Sequence, residues 1–415
     1  MHRPCRACSQ ATEVFLAFGD LPLGNALVAA DVPPEAQDRF PLTMTLCSHC
    51  HLVQLAEVVD PSRLFGNYVY LSSNSPAFVK HAMQLAQRMI AERSLGQSSQ
   101  IIEIASNDGY LLQAYRARGI RVLGIEPAAN VAEIARQNGI ETLCEFFGAD
   151  LARKLSTQRH CADVIHANNV LAHVPDLCGF VAGLGAILKP DGVVVIEVPY
   201  LRDLVDNLEF DTVYHEHQCY FALAPLVSLF AGAGLQIFDV EHIAVHGGSL
   251  RLFARHANRE KVSAAVVRLL EEERAWGVDD IATYRRFAQA VGTFPRALRT
   301  YLQELRAAGK SIAAYGASAK GTTLLNYCGV DRALIDFVVD RSPLKQGLTM
   351  PGVRIPILPT EELLNRQPDF VLLLAWNFVD EVVEQQSEYG RRGGRFILPV
   401  PVPRVAPACS PSSNP

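Results

Sequence analysis

The sequence predicts an α/β protein with a small zinc-binding N-terminal domain, a central Rossmann-like domain and a C-terminal Rossmann-like α/β domain. Three observations carry this prediction. Two C-x-x-C pairs stand near the N-terminus, and short β-branched runs then alternate with helical periods. The plan of strand, glycine-containing loop, helix, strand and terminal acid occurs twice. The predicted boundaries are 1–74, 75–257 and 258–402, and the proline- and serine-rich residues 403–415 are predicted to be a disordered tail.

Length and composition exclude several classes of protein. At 415 residues the chain exceeds one ordinary domain, since about 150 residues per domain is usual. Charged residues are 20% of the chain, hydrophobic residues are 49%, and the formal net charge is -5, which favours neither disorder nor a nucleic-acid surface. No apolar run approaches the ~20 residues that span a bilayer. We expect a cytoplasmic enzyme, monomeric or homodimeric, with no nucleic-acid or membrane partner.

The N-terminal segment carries the predicted metal site. Cys5 and Cys8 form one C-x-x-C pair, and Cys47 and Cys50 form the other. Each pair can place two thiolates on one ion through a tight turn, and four thiolates complete a tetrahedral Zn(II) site. Such a site has no open position, so we expect a structural role for the zinc. The alternative is four unrelated reduced thiols.

The central domain contains the stretch IIEIASNDGYLLQAYRARGIRVLGIEP, which starts at Ile101. It predicts a buried strand, a loop, a helix and a second strand that ends at Glu126 and Pro127, with Glu126 placed to accept ribose hydroxyls. The loop lacks the further glycines of a dinucleotide fingerprint, so S-adenosylmethionine is favoured over NAD. The residues predicted to line the methionine part of the cofactor are Ala105, Ser106, Asn107 and Gly109.

A later strand, ADVIHANNVLAHV, brings Asn168, Asn169 and His173 to the carboxyl edge of the predicted parallel sheet, where ligands bind in such folds. Asn168 and Asn169 are therefore further cofactor candidates. The densest chemical string is FDTVYHEHQCYF, which places Tyr214, Glu216 and His217 within four residues. We interpret it as acid-base machinery, with a solvated surface loop as the alternative.

The second half-fold, GKSIAAYGASAKGTTLLNYCGVDRALIDFVVD, ends at Asp340, the counterpart of Glu126. Its loop opens a helix, whose N-terminal amides favour anions. One hypothesis therefore places Lys320, Thr322 and Thr323 near the diphosphate of a sugar nucleotide. A purely structural loop is the alternative.

Taken together, these motifs resemble one family over nearly the whole chain, the nucleotide-sugar C-methyltransferases of deoxysugar biosynthesis that include the tetronitrose C3-methyltransferase type. The motifs that carry the resemblance are the two C-x-x-C pairs with HLVQL, FGNYVYLSS, EIASNDGYLL with GIEP, NNVLAHVPD, YHEHQCYF, HGGSLR and YGASAKGTTLLNY. The family more usually has glycine where this chain has Ala105.

The resemblance implies an S-adenosylmethionine-dependent methyltransferase that acts at C3 of a nucleotide-linked 4-keto-deoxysugar, with dTDP as the expected nucleotide. It also implies an acid-base cluster made of Tyr68, His173, Tyr214, Glu216 and His217, with His217 as the base. Glu216 or another carboxylate is expected to orient His217, while a tyrosine or His173 donates to the enolate oxygen. The alternatives are a sugar O-methyltransferase and a non-catalytic zinc-containing binding protein.

Overall fold

A computed structural model describes residues 4–33, 36–60, 63–64, 71–245, 247–257 and 261–407. Tyr68 lies outside the described residues, so its predicted catalytic place is not addressed by the structure. Four strands are described in the N-terminal segment. Its strands are β1 (Thr12–Pro22), β2 (Val28–Ala29), β3 (Arg39–Cys47) and β4 (Val53–Leu55).

The central segment alternates strands and helices, as its sequence periods predict. Its strands are β5 (Gln100–Ile104), β6 (Arg121–Ile125), β7 (Thr142–Leu143), β8 (Ala162–Asn168), β9 (Leu188–Pro199), β10 (Cys219–Tyr220), β11 (Leu235–Ile243) and β12 (Ser249–His256). Its helices are α1 (Pro76–Glu92), α2 (Leu112–Arg116), α3 (Ala129–Gln137), α4 (Ala149–Thr157), α5 (Leu177–Ile187), α6 (Leu201–Asp206) and α7 (Leu223–Gly232).

The central sheet has seven strands in the order β11-β12-β9-β8-β5-β6-β7. Strands β9, β8, β5, β6 and β7 are parallel, while β12 and β11 form an antiparallel edge. The order changes direction at β5, so the ends of β5, β6 and β8 open one crevice, where ligands bind in doubly wound sheets. Ile104, Ile125 and Asn168 end these three strands.

The C-terminal segment begins with two helices and then repeats the α/β alternation. Its helices are α8 (Ala264–Trp276), α9 (Ile281–Ala307), α10 (Ala319–Cys328), α11 (Glu362–Arg366), α12 (Val379–Gln385) and α13 (Ser387–Arg391). Its strands are β13 (Ile312–Tyr315), β14 (Val338–Val339), β15 (Leu348–Thr349), β16 (Ile357–Leu358), β17 (Phe370–Leu373), β18 (Arg395–Leu398) and β19 (Arg404–Val405).

The C-terminal sheet has six strands in the order β16-β14-β13-β17-β18-β19. Strand β19 pairs antiparallel with β18, through Ile397 opposite Val405 and Leu398 opposite Arg404. The expectation of a disordered tail from 403 is therefore wrong for its first residues, because their backbone groups complete the edge of this sheet. Residues 408–415 lie outside the described part of the chain.

Short strands link the three segments of the chain to one another. Strand β10, which directly follows the YHEH string, pairs with β4 and so belongs to the four-stranded N-terminal sheet β1-β3-β4-β10. Strand β2 pairs with β15 of the C-terminal segment. The residues before β10 are therefore held where all three segments meet.

Candidate functional site

The four predicted metal-binding cysteines converge in the N-terminal sheet. The Sγ atoms of Cys5, Cys8, Cys47 and Cys50 all lie within 4.8 Å of one another. The Sγ of Cys5 is 3.4 Å from that of Cys50, and the Sγ of Cys8 is 3.5 Å from that of Cys47. Since a Zn–S bond is about 2.3 Å long, four thiolates at these separations fit a tetrahedral zinc ion.

The backbone around the cysteines is shaped for thiolates. The amide N–H of Ala7 donates to Cys5 Sγ at 3.4 Å, and the amide of His49 donates to Cys47 Sγ at 3.4 Å. Each C-x-x-C turn is followed by a residue with positive φ, Ser9 at 61° and His51 at 63°. The two turns share one geometry, and their amides stabilise negative sulfur.

The metal site is linked by hydrogen bonds to the candidate catalytic string. Arg6, inside the first C-x-x-C, donates its backbone N–H to Gln54 Oε1 at 2.8 Å and a guanidinium N–H to the Leu55 carbonyl at 2.8 Å. Leu55 N in turn donates to the Gln218 carbonyl at 2.9 Å. A metal that fixes the first turn therefore also fixes the residue that follows His217.

The loop predicted to hold the cofactor takes an unusual backbone path. Ala105, Asn107 and Gly109 have φ of 54°, 50° and 80°. At Gly109 a Cβ would lie 2.7 Å from Ile140 Cγ1, so glycine is required there. Ala105 carries a Cβ in the left-handed region and is therefore strained.

Glu126 lies buried at the end of β6 and faces this loop. Its carboxylate accepts the amide N–H of Asn107 at 3.0 Å and that of Ala128 at 2.9 Å. Burial raises the pKa of Glu126, and these two amides oppose the rise. Each carboxylate oxygen can accept a second hydrogen bond, so Glu126 remains able to bind ribose hydroxyls. Pro127 follows it and precedes α3.

Several buried polar atoms along the same crevice have no hydrogen-bond partner among the described residues. They include Asn168 Oδ1, Asn169 Nδ2, Ser106 Oγ and Asp108 Oδ1. Asn169 has φ of 56°, and its amide N–H donates to the Glu197 carbonyl at 2.8 Å, which holds it at the sheet edge. Buried polar atoms normally find partners. These atoms therefore fit a polar ligand such as the amino acid and ribose parts of S-adenosylmethionine.

His217 and its neighbours form the predicted acid-base cluster. The Nδ1–H of His217 donates to the Thr212 carbonyl at 3.1 Å, and the Tyr214 hydroxyl is 2.9 Å from Nε2. A carbonyl can only accept, so Nδ1 carries a proton, and in the neutral ring Nε2 accepts from Tyr214. His173 lies beside them, with its ring centroid 4.9 Å from that of His217. The structure thus brings together the predicted residues Tyr214, His217 and His173.

His173 is held in a neutral state. Its Nδ1 donates to the Glu216 carbonyl at 2.9 Å. Burial lowers the pKa of His173 to about 4, although the Glu216 and Asn169 carbonyls oppose this shift. A neutral imidazole is a weak acid, so Tyr214 is the better candidate to donate to a developing enolate oxygen.

Glu216 has a different partner from the one expected. Its Oε1 accepts from Asn25 Nδ2 at 2.7 Å, and the group that orients His217 is the Thr212 carbonyl instead of a carboxylate. Burial raises the pKa of Glu216 to about 7, opposed by the Asn25 hydrogen bond and by the charge of Lys345. The buried carboxyl therefore ties the N-terminal segment to the site.

The glycine-containing loop of the second half-fold is engaged with protein groups. Thr322 Oγ1 donates to the Gly24 carbonyl at 2.8 Å, and Thr323 Oγ1 donates to the Val213 carbonyl at 3.0 Å. Both threonines are buried, so the hypothesis that they lie against a diphosphate is wrong. Lys320 Nζ donates to Asn377 Oδ1 at 2.6 Å and lies over the Trp376 ring.

Sequence reasoning missed three groups at this site, namely Asn25, the Thr212 carbonyl and Trp376, whose indole N–H donates to Asp211 Oδ2 at 2.7 Å. Asp211 and Thr212 stand inside the dense FDTVYHEH string, so the sequence could have predicted that they lie close to His217. Trp376 follows a buried strand end and is one of two tryptophans, but nothing local points it at Asp211.

Comparisons with known proteins agree with this division of the chain into three segments. Residues 5–65 match a family model described as "Putative zinc binding domain", residues 78–240 match "Methyltransferase domain", and residues 244–401 match "C-methyltransferase C-terminal domain". The C-methyltransferase NovU of Streptomyces niveus is 37% identical over 406 residues, which cover 97% of this chain and 97% of NovU. The chain belongs to the C-methyltransferase family.

Membership extends over both chains almost end to end, so the C-methyltransferase family predicted from the motifs is confirmed. The enzyme uses S-adenosylmethionine, and its N-terminal domain carries the four-cysteine zinc site. A ubiquinone biosynthesis O-methyltransferase of Methylocella silvestris (strain DSM 15510 / CIP 108128 / LMG 27833 / NCIMB 13906 / BL2) is 31% identical over 94 residues, which cover 22% of this chain and 37% of that protein.

Solved structures show a weaker likeness to this C-methyltransferase. The CcbJ methyltransferase of Streptomyces caelestis is 13% identical, with a TM-score of 0.36, and the match covers 48% of this chain and all of CcbJ. A TM-score this low supports no inference. None of the helices within the described ranges combines the length and apolarity that crossing a membrane requires.

Proposed function

We propose that this enzyme methylates a ring carbon of a nucleotide-linked 4-keto-deoxysugar, with C3 as the carbon and dTDP as the nucleotide. The motif resemblance supports the sugar nucleotide, and the chemistry of carbon methylation supports the ketone. A ring carbon becomes a nucleophile only after it loses a proton, and that proton is acidic only beside a carbonyl group. The acceptor is therefore a keto-sugar.

The observation that carries the proposal is the hydrogen-bonding state of His217. With Nδ1–H committed to the Thr212 carbonyl, the lone pair of Nε2 is the basic position, and Tyr214 occupies it at 2.9 Å. We propose that Nε2 exchanges Tyr214 for the C3–H of the acceptor and accepts that proton. Histidine is the side chain most often used as a general base at neutral pH.

The Tyr214 hydroxyl, released from Nε2, then donates to the enolate oxygen that forms at C4. Stabilising charge where it develops is the largest single contribution in many enzymes. S-Adenosylmethionine supplies an electrophilic methyl group when it is bound. The residues that would hold this cofactor are the Ala105 to Gly109 loop, Glu126, Asn168 and Asn169. Neutral His173 packs against His217 and limits its movement. The zinc ion takes no part in these steps.

Proton exchange tests the role of His217. The enzyme is incubated in heavy water with a dTDP-linked 4-keto-deoxysugar and S-adenosylhomocysteine, which cannot donate a methyl group. We expect deuterium at C3, and we expect His217→Asn to abolish both exchange and methyl transfer. Tyr214→Phe should slow transfer by about 10²-fold, the usual cost of losing one positioned donor.

A His217→Asn variant that still transfers methyl groups would remove this histidine from the role of base. If the wild-type enzyme incorporates no deuterium at C3, the identity of the methylated product decides, because a base shielded from solvent can return the same proton to C3. A product methylated on oxygen would favour the O-methyltransferase alternative and end the carbon-methylation proposal.

A further inference from the structure

The group that fixes the tautomer of His217 belongs to a short turn. Phe210, Asp211 and Thr212 form a 3-10 turn, and its last carbonyl accepts the Nδ1–H of His217. The turn is closed internally, because Thr212 N donates to the Glu209 carbonyl at 3.0 Å and Thr212 Oγ1 donates to the same carbonyl at 2.7 Å. Any group that fixes this turn therefore also fixes the proton position on His217.

Two hydrogen bonds from the C-terminal segment flank the Thr212 carbonyl. Before it, the indole N–H of Trp376 donates to Asp211 Oδ2 at 2.7 Å. After it, Thr323 Oγ1 donates to the Val213 carbonyl at 3.0 Å. Asp211 and Thr323 are buried. The residues on either side of Thr212 are thus both held by side chains from the C-terminal segment.

Asp211 depends strongly on its tryptophan. Its carboxyl is completely buried, and Oδ1 has no hydrogen-bond partner among the described residues. Trp376 is the side chain that satisfies Oδ2, while Lys320, which lies over the same indole ring, contributes positive charge nearby. Without the indole N–H, a buried carboxyl would lose its side-chain donor, which favours a rearranged turn.

The ring of Phe210 anchors the other end of the turn. It packs against Phe294 and Tyr327 at centroid distances of 4.9 and 5.7 Å. This apolar contact fixes the position of the turn but not the direction of the Thr212 carbonyl, because aromatic packing lacks the directionality of a hydrogen bond.

We infer that Trp376 and Thr323 are positioning residues for His217, which hold the Thr212 carbonyl so that Nδ1 is protonated and Nε2 is basic. This inference rests on the proposed role of His217 in proton removal. It gives the C-terminal domain a part in the reaction that does not require contact with the cofactor. Displacement of a supporting group by about 1 Å can cost about 10²-fold in rate.

The test compares two matched tryptophan substitutions. Trp376→Phe and the control Trp276→Phe each keep an aromatic ring and remove one indole N–H that donates to an aspartate, since Trp276 Nε1 donates to Asp206 Oδ1 at 2.8 Å. Thr323→Val removes the second hydrogen bond at nearly constant volume. Proteins labelled with ¹⁵N-histidine report the tautomer of His217, and the His217→Asn variant assigns its resonances.

We expect wild-type protein and Trp276→Phe to show the Nδ1–H tautomer. Trp376→Phe and Thr323→Val should show a mixture of tautomers, with kcat for the dTDP-linked 4-keto-deoxysugar about tenfold lower in each and about 10²-fold lower in the double variant. The KM values for the sugar and for S-adenosylmethionine should stay unchanged, and thermal unfolding is recorded for every variant.

The inference is overturned if both variants keep the wild-type tautomer and kcat. It is equally overturned if kcat falls only in step with the unfolding temperature, because the residues would then be merely structural. A changed tautomer with unchanged kcat would uphold the positioning and would instead contradict His217 as the base, so the two proposals fail separately.

Discussion

The two half-folds of this enzyme share one architecture but differ in what meets the terminal acid. Glu126 accepts the amides of Asn107 and Ala128 at 3.0 and 2.9 Å. Asp340 accepts the amides of Ala317 and Ser342 at 2.7 and 2.8 Å. Each acid thus accepts one amide from the loop that follows the first strand of its half-fold and one amide from the residue two positions after itself.

The two half-folds differ in that only the C-terminal acid, Asp340, has a lysine beside it among the described residues. Lys345 lies 3.6 Å from Asp340 Oδ2, is itself buried, and donates to the Ala317 carbonyl at 2.8 Å. No lysine or arginine ion pair to Glu126 occurs among the described residues, and the carboxylates near it are Glu103 and Asp108. The C-terminal half therefore supplies its own positive partner. The same topology can serve as a ligand site or as a structural clamp, according to whether the acid is already neutralised.

Removal of the metal should have the largest effect, because both half-folds are attached to the zinc-bearing N-terminal segment. Strand β10 joins that sheet next to His217, and Thr322 of the second half donates to the Gly24 carbonyl. We expect a chelator to unfold the N-terminal sheet and abolish methyl transfer, and added Zn(II) to restore both. Metal analysis should give about one zinc per chain. A metal-free protein that keeps its fold and full activity would contradict this.

Substitution of the two acids should separate the two halves. Glu126→Ala should weaken binding of S-adenosylhomocysteine by about 1 to 3 kcal/mol, the cost of losing hydrogen bonds to a charged group. Asp340→Asn should leave that affinity unchanged and lower the unfolding temperature instead, since Lys345 loses its ionic partner. Calorimetry with both variants measures the difference. The reverse pattern would place the cofactor in the C-terminal half.

Glu216 should make stability depend on pH. Its pKa is raised from 4.5 to about 7 in the folded state, so between these values the unfolded chain has released a proton that the folded chain still holds. The free energy of unfolding therefore falls by at most about 3 kcal/mol as pH rises from about 4.5 to 7. It levels off above the pKa of the folded state.

Glu216→Gln removes this dependence. The free energy of unfolding of the variant, minus that of the wild type, should therefore be larger at pH 8 than at pH 5. Denaturant unfolding of both proteins at both pH values measures this difference. A difference between the two proteins that does not change with pH would mean that Glu216 is ionised throughout.

The smallest expected effect comes from the first residue of each loop. Ala105 and Gly316 both follow a strand end with positive φ, 54° and 91°. Ala105→Gly should raise the free energy of unfolding by up to about 1 kcal/mol through relief of strain. The reciprocal Gly316→Ala should be destabilising, because its Cβ would lie 2.9 Å from Ala375 Cβ. If both substitutions changed the free energy of unfolding in the same direction and by the same amount, the two loops would not differ in backbone strain.

Local pattern predicted much of this molecule. The cysteine spacing identified the metal site, and the strand-loop-helix periods identified both half-folds, because each signal lies within one continuous stretch. The partner of Glu216 could not be predicted in this way, since Asn25 is 191 residues away along the chain. The Thr212 carbonyl was missed for another reason: every residue has a carbonyl, so its role depends on a turn whose direction is set by distant side chains.

The most direct test of carbon methylation uses S-adenosylmethionine labelled with ¹³C in its methyl group and a panel of dTDP-linked 4-keto-deoxysugars. The product is examined by mass spectrometry and by carbon NMR. We predict one added methyl group whose ¹³C signal couples to C3 of the ring and has the shift of a methyl on carbon. A methyl signal characteristic of a methoxy group would contradict the account.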